Sequence, residues 1–201
     1  MKRLIFLTLV LICVLSAAVG CNGKSDYNYT ITEQDIEDRM LYNKFTNEVT
    51  KAYLEETLGK GYEEEHPTVV LPVEAEEVKK TLEEDNLIVE HCKKNDVFID
   101  EESAAETAKK EYQSLTTEES LETYYFYVQK ALREYEMTEE RYVELVCKEG
   151  YYRYNRVSLK VYFGKKMYDE NSKKSLDDQF DSYIDDICGR SSKLPTANLF
   201  S

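Results

Sequence analysis

The chain has no tryptophan, three prolines, seven glycines and two histidines, and each shortage removes a kind of chemistry. Few glycines leave little tight-turn backbone, and there is no glycine-rich phosphate loop, nucleophile elbow or HExxH pair. His66 sits in an acidic, proline-bounded stretch, and His91 stands beside Cys92. Neighbours on a helix point about 100° apart, so that pair is a poor dyad or chelate. Basic residues are also scarce, 26 against 40 acidic ones, for a formal charge of −14. Such a surface repels nucleic acid and anionic lipid and favours solubility. The five cysteines fall at positions 13, 21, 92, 147 and 188. Cys92, Cys147 and Cys188 are too scattered for a disulfide framework or a metal cluster. They suit apolar helix faces as small hydrophobes, with room for one bridge in an exported protein. No catalytic residue, metal ligand or cofactor site is expected, and the chain reads as a binding protein rather than an enzyme.

The N-terminus is the first feature with a clear sign. Lys2 and Arg3 lead into an apolar run from Leu4 to Leu15, broken by Thr8, and then into the small residues Ser16, Ala17, Ala18 and Gly20. A basic start, an apolar middle and a small-residue end make a secretory signal. Leu4 to Val19 falls short of the ~18–20 residues that cross a bilayer, and Gly20, Asn22 and Gly23 break any helix there. The run Ala18-Val19-Gly20-Cys21 resembles the lipobox of bacterial lipoproteins, with Ala18 in place of the commoner leucine. That resemblance implies cleavage before Cys21, a diacylglyceryl thioether on its sulfur, and a lipid anchor on the extracytoplasmic face of the cell membrane. Ordinary cleavage after Ala18 is the alternative. One acyl chain holds a protein only marginally, at ~0.8 kcal/mol per buried methylene, whereas two hold it stably. Loss of Lys2 and Arg3 with the signal takes the formal charge from −14 to −16.

The expected organisation is a signal over 1–20, a lipidated tether over 21–30, one helical domain over 31–188 and a loose tail over 189–201. The class is all-α, a helical bundle with a short extended arm or strand near 59–76. Thr32 with Asp35 opens the first helix as a capping box, along which Ile36, Met40, Phe45, Val49 and Leu54 lie with imperfect periodicity, and Gly59 and Gly61 end it. A second helix begins near Val73, with Val78, Leu82, Val89 and Cys92 on one face. Asp100 caps a third, with Ala104, Ala108, Tyr112 and Leu115 as a narrow stripe. Thr117 caps a fourth, and Thr138 a fifth that breaks at Gly150. A last helix carries Leu176, Phe180, Tyr183, Ile184 and Ile187.

Tyr151 to Tyr168 forms a helix of its own that is apolar on two sides. Tyr154, Val157, Val161 and Tyr168 make one face, and Tyr152, Leu159, Phe163 and Met167 the other, with Arg153, Arg156 and Lys160 between them. Such a helix is central in a bundle when both faces are core. The alternative gives one face to a groove, and Tyr152, Leu159, Phe163 and Met167 are the candidate lining for apolar client segments. The seventeen tyrosines suit partly exposed binding surfaces, since tyrosine joins apolar area to a polar tip.

Three stretches carry a family resemblance. The run from Tyr29 to Met40 is similar to the opening "Ile-Thr-x-x-Asp" helix of extracytoplasmic foldases of the SurA and PrsA type. Val89 to Ser103 resembles their "Ala-Lys-Lys-x-x-Val-x-Val-Ser-Asp-Glu-Glu" turn, with Cys92 in the alanine's place. Met137 to Tyr142, with the helix after it, resembles their "Leu-Ser-x-x-x-Phe" start. The resemblance spans residues 29 to 188 and implies a SurA N-terminal or trigger-factor type of helical bundle that binds unfolded or secreted polypeptides. Family members often carry a parvulin prolyl-isomerase domain after the long helix, where this chain has only Asp169 to Lys174, so no catalysis is implied. A structural or assembly lipoprotein with one dedicated protein partner is the competing expectation.

Overall fold

The computed structural model describes residues 30–62 and 68–189. Among them six α-helices form an all-helical bundle without a strand. They are α1 (Glu33–Leu58), α2 (Ala75–Lys94), α3 (Glu101–Thr117), α4 (Glu122–Glu134), α5 (Glu139–Lys166) and α6 (Leu176–Ile187), with a 3-10 turn, Glu119–Leu121, between α3 and α4. Four helices start on a side-chain cap. Thr32 and Ser175 each form a full capping box, with Asp35 and Asp178, and Asp100 and Thr138 accept from the amides of Ser103 and Arg141. Each cap satisfies an amide that the first turn leaves without a partner. No described helix is long and apolar enough to cross a membrane.

α5 is the spine of the bundle. Its 28 residues span ~42 Å at 1.5 Å per residue, and it packs against α1, α2, α3 and α6. The expected break at Gly150 is absent, and the helix runs straight through it. A Cβ at Gly150 would lie 3.0 Å from the Ala108 Cβ and 3.2 Å from the Tyr154 ring. The glycine therefore brings α5 close to the Ala104–Ala108 stripe of α3 rather than ending a helix. Thr117 does not cap α4 either; it closes α3.

Two apolar cores lie along α5. Core one gathers Phe45, Val49, Tyr112, Val128, Ala131, Leu132 and Tyr142 from α1, α3, α4 and the start of α5. Core two gathers Ile88, Cys92, Leu159, Phe163, Phe180, Ile184 and Cys188 from α2, α6 and the end of α5. No disulfide joins Cys92, Cys147 and Cys188. Outside the two cores the buried residues include a polar set, Asp38, Arg39, Asn43, Thr81, Asp85 and Asn155, beside apolar Leu82 and Leu145.

Asparagines pin two connecting segments onto the helices. Leu71 docks on α1, its amide donating to Asn47 Oδ1 at 2.9 Å and its carbonyl accepting from Asn47 Nδ2 at 2.9 Å, while Asn43 donates to the Pro72 carbonyl at 2.6 Å. Fully buried Asn155 does the same for Ile99, with bonds of 2.9 and 2.8 Å. Buried backbone needs partners, and these side chains supply them in place of a strand. The arm is thus a docked irregular segment.

A charged cleft between two cores

The polar waist opens into a cleft of about 600 Å³, walled by α1, α2, α3 and α5. Arg39, on α1, anchors its floor. The guanidinium donates to Asp85 Oδ2 at 3.0 Å, and its Nε lies 2.7 Å from Glu149 Oε2. It also sits 5.1 Å from the centroid of the Tyr152 ring. Burial alone would make Arg39 easier to deprotonate, but Glu149 and Asp85 more than compensate and hold it as a cation. Arg156 adds a more distant contact to Asp85, at 3.9 Å.

Two carboxylates facing one cation leave Glu149 under-compensated. Burial pushes its carboxyl up to about 7; Arg39 opposes the shift and the nearby Asp85 adds to it. Asp38, one residue before Arg39, behaves in the opposite way. Burial would raise it, but hydrogen bonds from Lys148, Gln34 and Arg141 outweigh that and hold it below the usual carboxylate range. So Lys148 and Arg141 share Asp38, and Arg141 also pairs with Glu144.

Tyr42, Tyr151 and Tyr152 supply the aromatic lining, and Ala105, Leu145 and Leu82 the aliphatic part. Tyr151 and Tyr152 meet edge to face at 5.2 Å between centroids, and Phe98 meets Tyr151 at 6.3 Å. Phe98 is partly exposed, so an aromatic path leads from the floor to the surface. Cys147 also lines the cleft, and burial raises its thiol above the ordinary value.

No family model matches the chain, and no curated protein or solved structure does either. The site therefore rests on its own geometry.

That geometry redistributes the expected groove residues. Tyr152 does line the cleft. Leu159 is fully buried and Phe163 is 5% exposed, because α6 covers that side of α5. The Phe163 ring meets Phe180 at 5.8 Å and Tyr183 at 5.1 Å. Met167 lies just past the end of α5 and is exposed. The four residues do not make one groove, and Leu159 and Phe163 are core. The outer side of the same helix carries Val157 and Val161 in the open. Arg153, Arg156 and Lys160, between the two faces, pair with Glu111, Asp85 and Asp177. Cys21 lies outside the described residues.

Sequence reasoning missed Arg39, Asp85 and Glu149. A signal existed on α1: Arg39, Asn43, Thr46 and Val49 recur at helical spacing, and all four are buried. The apolar periodicity of α1 is imperfect because four of its six buried residues, Asp38, Arg39, Asn43 and Thr46, are polar.

Proposed function

We propose that this chain is a lipid-anchored, extracytoplasmic holdase that binds unfolded or secreted polypeptide segments in the cleft between its two cores. The cleft carries this reading: about 600 Å³, lined by three tyrosines. Pockets of ~300–1,000 Å³ with aromatic walls and a few fixed polar groups are the usual form of a binding site. Tyrosine suits varied clients, because it offers apolar area, a hydrogen-bonding tip and little rotamer entropy to lose. The lipobox-like run ending in Cys21 supports the anchor, and the foldase-like stretches between Tyr29 and Tyr142 support the client class. α5 passes to α6 through residues 167–175 alone, so an isomerase insertion has no place there. The proposed activity is binding and release, without catalysis, metal or cofactor.

A photo-crosslinking amino acid in place of Tyr42 tests the reading in intact cells. Many captured exported polypeptides are expected. One captured protein at full yield would instead favour a dedicated assembly partner, and none would overturn the reading. The anchor has its own check: fatty-acid label should appear on the unaltered protein and vanish in Cys21→Ala. Unlabelled protein in both forms would refute lipidation.

A further inference from the structure

We infer that the cleft selects positively charged client segments, taking a lysine or arginine side chain between its acidic mouth and its tyrosine wall. This rests on the client-binding reading above and specifies the chemistry of the client. The charges on the walls fall into two groups. Arg39 is consumed by Asp85 and Glu149, and Lys148 by Asp38. Each cation already faces a carboxylate, and the lining holds five acidic side chains against these two basic ones. Asp35, Glu101 and Glu102 line the same cleft, and no described residue forms an ion pair with any of them. Glu101 and Glu102 are exposed in the first turn of α3. The mouth is thus net negative, while the floor is close to neutral.

The aromatic wall adds a second attraction for the same ligand. A cation over a tyrosine face is held by the ring quadrupole. The cleft already shows this contact internally, with Arg39 over Tyr152. Lys93 stands over Phe98 at 5.1 Å at the outer end of the aromatic path. Tyr151 lies between these two rings with no cation of the described residues over it, and burial, with nearby Glu101 adding to it, raises its hydroxyl to about 12. A basic side chain entering past Glu101 would meet that ring and that carboxylate together. Its methylene stem would lie along the aliphatic part of the wall, as long basic side chains do.

An acidic protein attracts any basic peptide weakly, so the test must separate the cleft from the whole surface. Fluorescence anisotropy of the full-length protein in neutral detergent would use three unstructured peptides of equal length and equal apolar content. They carry three lysines, three glutamates or three serines. The lysine peptide should bind about tenfold more tightly than the serine peptide at low salt, equivalent to ~1.4 kcal/mol, with the glutamate peptide weakest. The preference should shrink in high salt, as exposed charge pairs do. Glu101→Gln with Glu102→Gln should remove most of it, read as the ratio of lysine-peptide to serine-peptide affinity within the same variant. The matched control is Glu76→Gln with Glu77→Gln, an exposed acidic pair in the first turn of α2 outside the cleft; it should change little. Equal binding of all three peptides, or equal loss in both double variants, would overturn the charge selection alone. Failure of every peptide to bind would overturn the holdase reading with it.

Discussion

Arg39 is the residue on which the waist depends. It is 6% exposed, as a charged side chain is only when fully partnered. Removing one member of a buried ion group costs ~3–5 kcal/mol, because the remaining charges stay buried without compensation. Here the remainder would be Asp85 and Glu149. Glu149 makes the cost depend on pH. Its folded pKa, near 7, stands above its ordinary value of 4.5. A carboxyl raised on folding stabilises the fold fully below the unfolded value and loses that contribution as pH rises through the folded one. The stability drop should therefore fall between about pH 4.5 and 7, on the order of 3 kcal/mol. Glu149→Gln carries no titrating group and should flatten this limb. Urea midpoints measured from pH 5 to pH 8 in both proteins provide the check. Parallel pH profiles would show that Glu149 is ionised throughout.

α5 shows which elements were legible in the sequence and which were not. The caps at Thr32, Asp100 and Thr138 were readable because each acts on its own next turn, and the stripes of α2, α3 and α6 because they are local and periodic. Gly150 was misread: whether a glycine ends a helix or lets another one approach is decided by the partner, here Ala104 and Ala108. The same holds for the two apolar faces of α5. Periodicity identified both, but only the position of α6 decides that Leu159 and Phe163 are core while Val157 and Val161 face outward. Of the cleft, only Tyr152 was legible, since buried Arg39 and Glu149 look like surface charges in a chain this acidic. Substitution separates the faces. Phe163→Ser should cost ~3–5 kcal/mol, as large-to-small core changes do. Val161→Ser, at a half-exposed position, should stay within ~0.5 kcal/mol. Thermal or urea unfolding of both variants measures this, and a Phe163→Ser protein as stable as its parent would return that face to solvent.

The molecule as a whole is two apolar cores on one rod, joined by a charged waist, and they are unequally secured. Core one is closed by four helices. Core two is closed by α6, twelve residues that touch only α2 and α5 strongly. A short helix with so few packed neighbours belongs to the low end of local stability. It is held by Phe180, Ile184 and Cys188 in the core and by a 2.6 Å hydrogen bond between His91 Nε2 and the Tyr183 hydroxyl. α6 is therefore expected to open before the rod unfolds. Its opening exposes Cys188 and the facing Cys92, both buried in the closed form. Thiol labelling of these two cysteines should rise at lower urea than the loss of helical circular dichroism. Acid should widen the gap. Burial depresses His91 below its ordinary 6.5, and a base depressed on folding stabilises the closed form above the unfolded value and loses that contribution as pH falls through the folded one. The latch should weaken below about pH 6.5, while the Glu149 contribution strengthens over the same range. His91→Phe should remove the acid dependence of labelling without altering the Glu149 limb. Labelling that coincides with global unfolding at every pH would mean that both cores open as a single cooperative unit.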